Sequence, residues 1–278
     1  LLHYPMHPVQ CSAPAKKLNI IFLVFDTLRY DALNARVMPN MQRFSAKTQR
    51  FSDVYSGGNC TQPGIFSLFY GIPPTYWNAT VSQQRQPMLL DELHKQGYQF
   101  GIFASASLLF PQFNKNLFSK VKNLQIDTRG NTSVERDRRV TKLFSKFLNT
   151  RNSKKPFFSF VFYDAVHNYC EGGSKQNMSP FTPAIAQCQR FALTTKTDPT
   201  PYINRYDNAA HFLDQQASIV LQQLRAHNLM RNTIVVITAD HGEQHNDQRL
   251  GYWSHASAYT PYQLHVPMLI YWPGMTPK

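Results

Sequence analysis

Thr238-Ala239-Asp240-His241-Gly242-Glu243 follows directly on the apolar run Thr233-Ile234-Val235-Val236-Ile237. A short run rich in β-branched residues reads as a buried strand, which puts Asp240 and His241 at its carboxyl end. Open parallel sheets gather ligands at that edge. Outward from here, the run Leu18 to Phe25 ends in the same way, in Asp26. Two buried strands far apart in sequence, each delivering an acid or an imidazole at its end, point to one divalent cation between them. Alone, Asp-His-Gly-Glu is equally readable as an aspartate capping a loop and a histidine packed on the sheet. Asp26, and a nucleophile position in the loop Ser56 to Gly71, turn the reading toward a metal.

Ser56 to Gly71, S-G-G-N-C-T-Q-P-G-I-F-S-L-F-Y-G, is a glycine-containing loop running into an apolar segment. A loop that enters a helix in this way turns backbone N–H groups toward an anion. A hydroxyl or thiol there is placed to act as a nucleophile, with a metal lowering its pKa.

Strand-like and helix-like runs alternate along the chain. Strands are predicted at Leu18–Phe25, Phe51–Tyr55, Tyr98–Phe103, Phe157–Tyr163, Thr233–Thr238 and Val266–Tyr271. Helices are predicted at Met38–Thr48, Pro63–Tyr70 ending at Gly71, Met88–Gln96 closed by Gly97, and Pro201–His227. In the last of these Leu213, Ala217, Val220, Leu221 and Leu224 form one apolar stripe that packs on the sheet. The alternation predicts an α/β fold, a mostly parallel central sheet with helices on both faces. Tyr169 to Thr200, rich in Gly, Ser, Thr, Pro and Gln, is a long insertion beside the expected site.

Composition narrows the class. No stretch approaches the ~18–20 apolar residues that cross a bilayer. Leu1–Lys17, rich in Pro and His, has no signal-peptide core and reads as a linker from a membrane segment not included here. The chain also stops just after a strand, so residues 18–278 are expected to be one domain truncated at its C-terminal end. The net charge of +13 is concentrated between Lys115 and Lys155, which hold twelve basic and three acidic residues. Val140, Leu143, Phe144, Phe147 and Leu148 recur there at helical spacing, so the segment contains a basic amphipathic helix. That helix either shows a solvated face or faces anions such as lipid phosphates. No nucleic-acid module is recognisable, which argues against nucleic acid as a partner. Cys11, Cys60, Cys170 and Cys188 lack zinc-cluster spacing, and Cys170 with Cys188 can close the insertion as a disulfide.

A strand-end Asp26, a nucleophile at a helix start and Asp240-His241-Gly242-Glu243, in that order, resemble the sulfatase-like branch of the alkaline phosphatase superfamily. Tyr206 to Asp214 (Y-D-N-A-A-H-F-L-D) and Val266 to Gly274 (V-P-M-L-I-Y-W-P-G) extend the resemblance over nearly all of the chain from Leu18 on. Ser56 to Ile72 and Trp253-Ser254-His255 resemble, more closely, the periplasmic domain of inner-membrane sulfatase-like proteins of the PbgA/YejM type. These are related to phosphoethanolamine transferases and lipoteichoic acid synthases. The resemblance implies a periplasmic location at a bacterial inner membrane, membrane-protein partners, and a role in phospholipid or lipopolysaccharide homeostasis.

Registering Leu68-Phe69-Tyr70-Gly71 on the helix end of sulfatases puts Thr61 at the nucleophile position, with Cys60 one residue too early. Pro63 matches the sulfatase pattern, whereas Ile65 stands where sulfatases carry Arg. Formylglycine is not made from threonine, which argues against ordinary sulfate-ester hydrolysis. Threonine is what the phosphoethanolamine and glycerophosphate transferases use. The resemblance thus implies a metal shell of Asp26, Thr61, Asp240 and His241 around one Mg²⁺, Mn²⁺, Ca²⁺ or Zn²⁺, with His167 and His255 lining the site. His211, four residues after Asp207, is read as structural, and His245 and His265 as surface or core residues. The implied activity is phosphoester or phosphodiester hydrolysis or phosphoryl-group transfer. The competing expectation is a catalytically vestigial lipid sensor that binds anionic lipid or lipopolysaccharide through Arg136, Arg138 and Arg139.

Overall fold

The structure, a computed structural model, describes residues 2–7, 9, 16–171, 180–188 and 192–278. Cys11 and the centre of the insertion lie outside the described residues. In chain order the elements are β1 (Asn19–Phe25), α1 (Pro39–Ser45), β2 (Gln49–Phe51), α2 (Thr61–Tyr70), α3 (Trp77–Ser82) and α4 (Met88–Lys95). They continue with β3 (Gln99–Ala104), α5 (Ser133–Thr150), β4 (Phe157–Tyr163), α6 (Thr200–Ala226) and β5 (Thr233–Ala239). The short β6 (Gln244–His245), β7 (Trp253–Ser254), α7 (Pro261–Leu264) and the strand β8 (Met268–Tyr271) complete the order.

Six strands form one sheet in the order β2-β8-β5-β1-β4-β3. β1, β3, β4 and β5 run parallel, and β8 with β2 add an antiparallel edge. The expected mostly parallel sheet with helices on both faces is therefore what forms. Side-chain alternation sorts its two cores. Ile21, Leu23, Phe25, Val161 and Tyr163 point to one face, where Phe44 of α1, Phe144 of α5 and the stripe of α6 cover them. Val24, Phe158, Phe160 and Phe162 point to the other, against Ile65, Phe66 and Phe69 of α2. β4, buried along its whole length, needs apolar residues at both parities, and F-F-S-F-V-F-Y supplies them.

Two sequence expectations shift. The strand expected at Phe51–Tyr55 forms at Gln49–Phe51, and Tyr55 makes only an isolated bridge to His265. The helix expected from Pro63 starts at Thr61, because Cys60 takes an extended conformation and its carbonyl accepts the Gly64 N–H at 3.1 Å. Part of the segment read as a linker packs on the domain: the Tyr4 hydroxyl donates to the Tyr70 carbonyl at 2.7 Å. Among the described residues no helix is long and apolar enough to cross a membrane.

α1 begins with its N–H groups aimed at α6 instead of at a capping side chain of its own. The Asp214 carboxylate accepts from Asn40 N at 3.0 Å, Met41 N at 2.7 Å and the Asn40 side-chain amide at 2.7 Å. An anion at a helix N-terminus meets orphan donors and the positive end of the dipole together. Asp214→Ala is expected to lower stability by about 1–3 kcal/mol, since it strands buried N–H groups. Asp214→Asn should cost less, and urea unfolding of the two variants reads the difference.

Candidate functional site

Strand register builds the site. Phe25 pairs with Tyr163 on one side and with Ala239 on the other. The next residue on each strand is Asp26, Asp164 or Asp240, so three carboxylates stand side by side at the carboxyl edge of β1, β4 and β5. All three are buried. Asp26, Asp240 and His241 offer ligand atoms within 4.8 Å of one another, and so do Asp26, Asp164 and His167. Asp26 is common to both groups.

The hydrogen bonds around the first group leave one direction open. Asp240 Oδ1 accepts from the N–H of Thr27 at 3.0 Å and of His241 at 2.8 Å, while its buried Oδ2 has no hydrogen-bond partner. His241 Nδ1 lies 2.9 Å from the Gly242 carbonyl. A carbonyl only accepts, so Nδ1 carries the proton and Nε2 presents a lone pair. That lone pair sits 3.4 Å from Asp26 Oδ1 and 3.5 Å from Asp240 Oδ2. Burial holds the imidazole neutral by lowering its pKa to about 4. Two carboxylate oxygens and an imidazole lone pair facing one another repel unless a cation lies among them, and hard oxygens with one nitrogen fit a divalent ion. Burial, and then the neighbouring charge of Asp240, raises Asp26 to about 6. Burial likewise raises Asp240 to about 6.

Thr61 is the first residue of α2. Its hydroxyl is 3.5 Å from both Asp26 Oδ2 and His241 Nε2, on the side where Nε2 is free. The helix reaches this depth because residue 64 is glycine: a Cβ there would stand 2.1 Å from the Asp240 carbonyl oxygen. Ser56 reinforces the same contact by donating its hydroxyl to that carbonyl. At the helix start the N–H groups of Thr61 and Gln62 have no partner one turn back, which suits an anion.

His167 and His255 stand beside this cluster. His167 Nδ1 lies 3.4 Å from Asp164 Oδ1. Burial alone would lower His167, but Asp26 and Asp164 outweigh it and push the imidazole up to about 10. The His255 ring sits 4.7 Å from that of His167 and 4.9 Å from that of His241. Glu243, fully buried, holds His255 Nδ1 at 3.2 Å. His211 instead bonds the Val37 carbonyl through Nδ1, while Asp207 pairs with Arg36, so this pair does not chelate. His245 is buried, and His265 is stacked between Tyr30 and Tyr55.

The three arginines grouped in the sequence do not act as one face. Arg138 and Arg139 are exposed on α5, Arg138 over the Phe212 ring at 5.4 Å. Arg136 turns inward: its Nη2 is 3.1 Å from Asp164 Oδ2 and 3.7 Å from Glu171 Oε2. It lines a cavity of about 580 Å³ whose floor includes Asp26 and Thr61. Two carboxylates thus hold Arg136 in the cavity, apart from the exposed Arg138 and Arg139.

Sequence reasoning misses Asp164, Asp137 and the orienting role of Glu243. Asp164 carries a signal, since F-F-S-F-V-F-Y-D ends in an aspartate just as the other two site strands do. Asp137 carries none: it is a helix residue that accepts the N–H groups of Asp164 at 3.0 Å and Ala165 at 2.8 Å. Burial raises its carboxyl to about 8, with Asp164 adding to the effect. Cys170 and Cys188 are disulfide-bonded and close the insertion at its base.

The family model for sulfatases matches residues 18–278. The chain belongs to the sulfatase family. Its fold is that of the alkaline phosphatase superfamily, and the chain is similar to YejM, an inner membrane protein of Salmonella typhimurium. With YejM it shares 25% identity over 98% of its own length and 40% of that protein. It thus spans well under half the length of the curated relatives it matches. Among solved structures, the soluble domain of lipooligosaccharide phosphoethanolamine transferase A from Neisseria meningitidis superposes with a TM-score of 0.70 at 20% identity, covering 94% of this chain and 78% of that one. A 2-O GAG sulfatase superposes with a TM-score of 0.71 at 18% identity, covering 94% and 65%. These two likenesses establish the fold.

Cation affinity should depend on pH with a definite sign. Asp26 and Asp240, raised to about 6, bind protons below that value, and a cation must displace them. Affinity for Mn²⁺ or Zn²⁺ is therefore expected to fall as pH drops from 7 to 5, by roughly tenfold for each carboxylate involved. Calorimetric titration at the two pH values checks this, and an affinity independent of pH would mean the carboxylates are not the ligands.

Proposed function

We propose that this domain is a metal-dependent phosphoester or phosphodiester hydrolase or phosphoryl-group transferase with Thr61 as its nucleophile. It acts on envelope lipid or lipopolysaccharide at the periplasmic side of a bacterial inner membrane. The observation that carries this reading is the placement of the Thr61 hydroxyl, at a helix start and 3.5 Å from Asp26 and His241. The phosphoethanolamine transferase fold and the inner-membrane relative support the substrate class and the location.

Asp26, Asp240, His241 and Thr61 would hold the cation. The cation would supply a Lewis acid that stabilises an alkoxide and the charge on phosphoryl oxygens. The chain's own groups do the rest. Thr61 reacts as the alkoxide, its proton released to solvent; its oxygen bonds to phosphorus as the bond to the leaving oxygen breaks, and the leaving oxygen takes up a proton. The N–H groups at the start of α2 hold a non-bridging oxygen. His167 and His255, the latter fixed by Glu243, hold phosphoryl oxygens or deliver that proton. Attack on the phosphothreonine by water gives hydrolysis, attack by an acceptor hydroxyl gives transfer, and either restores Thr61.

A second reading, a lipid sensor without chemistry, draws on the exposed Arg138 and Arg139. Assays on phosphomonoester and phosphodiester substrates with Mg²⁺, Mn²⁺ or Zn²⁺ separate the two. Thr61→Ala is expected to lower turnover by about 10³-fold or more, with the circular dichroism spectrum unchanged. Turnover that survives the substitution would eliminate Thr61 as the nucleophile. No turnover by the unmodified chain with any of the three cations would favour the sensor.

A further inference from the structure

The loop 105–132, between β3 and α5, forms the outer wall of the cavity above Thr61, and it carries an apolar tip that the fold leaves bare. Leu108 is buried, yet Leu109 is 40% exposed and Phe110 is 82% exposed. The loop has an aromatic core that Phe110 does not join. Phe113 packs on Trp77 at 5.8 Å, and Phe118 packs on Phe160 at 5.5 Å. The base of the tip is fixed: Leu108 N bonds the Ile126 carbonyl at 3.0 Å, and Asn114 N bonds the Leu108 carbonyl at 3.2 Å. Phe110 and Pro111 line the same cavity as Asp26 and Thr61, so the tip stands at its mouth.

The loop that carries the tip is cationic. This loop holds Lys115, Lys120, Lys122 and Arg129 against the single acid Asp127. Lys120 is paired with Asp91, while Lys115, Lys122 and Arg129 are exposed. An apolar pair held out from a rigid base among like positive charges suits an anionic bilayer, where the ring enters the acyl boundary and the cations meet phosphates. A protein partner is matched better by a broader apolar patch with charges of both signs at its rim.

We infer that Leu109 and Phe110 are an interfacial anchor that seats the mouth of the cavity on an anionic bilayer. A phosphoester head group then reaches Thr61 from the lipid surface, with the apolar wall of Leu108, Phe110 and Pro111 receiving the part nearest the acyl chains. The route to Thr61 rests on the catalytic reading above, whereas the seating does not.

The test uses Phe110→Trp in a Thr61→Ala background, so that seating is read without turnover. Vesicles of phosphatidylglycerol and phosphatidylethanolamine, with and without brominated acyl chains, are the probe. The spectrum of the Phe110→Trp protein minus that of its parent isolates the introduced indole. Its emission is expected to shift to the blue on these vesicles and to be quenched by the bromines. On uncharged phosphatidylcholine vesicles the response should be much weaker, and salt should reduce it. Phe110→Asp should lower the vesicle-bound fraction by about tenfold or more at an unchanged melting temperature, because the side chain is exposed. Three results would overturn the anchor: emission of the introduced indole unmoved on vesicles that bind the protein, binding abolished by Arg138→Glu with Arg139→Glu but untouched by Phe110→Asp, or no vesicle binding at low salt. Normal seating by a chain that turns over no phosphoester would sink the catalytic reading and leave the anchor standing.

Discussion

Burial of three carboxylates at one level of a parallel sheet is the constraint from which the rest of this molecule follows. Neighbouring strands are about 4.8 Å apart, and at that separation two charges repel by roughly 3–4 kcal/mol at an effective dielectric of 20. A charged hydrogen bond returns about 1.5–3 kcal/mol. The site uses such bonds wherever the backbone allows. Asp240 takes two N–H groups on one oxygen, and Asp164 takes the Arg136 guanidinium and the Asn168 amide. What stays open is the interior side, where Asp240 Oδ2 and His241 Nε2 face Asp26. The residual charge there is what a bound cation would cancel.

The loops behind the strands are tied down for the same reason. The Tyr206 hydroxyl donates to the Thr27 carbonyl and accepts from Arg29 N, both at 2.8 Å, so the turn after Asp26 is held by α6. Asp137 does the equivalent for the turn after β4 from α5. Helices that cover one face of the sheet therefore also fix the carboxylates at its edge. Offsetting so much buried charge takes a large apolar core, where each fully buried Phe or Leu contributes about 1.5–3 kcal/mol. The phenylalanines of β4, directed to both faces, are at the centre of it.

Much of this is legible in the chain. The strands declare themselves as short apolar runs, and the rule that parallel strands present ligands at their carboxyl ends locates Asp26, Asp240 and His241. The geometry of helix starts, with a family register, locates Thr61. Less is legible where side chains from distant segments meet. Asp164 follows the same strand-end rule but stands close to His167, the stronger ligand type in that stretch. Asp137 lies on the helix that follows β3 and is indistinguishable in sequence from a solvated charge. Arg136 reads as one of three basic residues, until its ion pair with Asp164 places it in the cavity and leaves Arg138 and Arg139 outside. The start of α2 lies two residues earlier than expected because Pro63, a common first-turn residue, sits within the first turn and does not open it. The pairing of Cys170 with Cys188, which sequence spacing alone only permits, is a bond in the structure.

The central claim is that Asp26, Asp240 and His241 surround one divalent cation beside the Thr61 hydroxyl. Anomalous diffraction from crystals of the chain equilibrated with Mn²⁺ or Zn²⁺ at neutral pH tests it directly. The account predicts a peak at about 2.0–2.3 Å from an oxygen of each aspartate and from His241 Nε2. An empty triad in crystals that bind the cation elsewhere would contradict it.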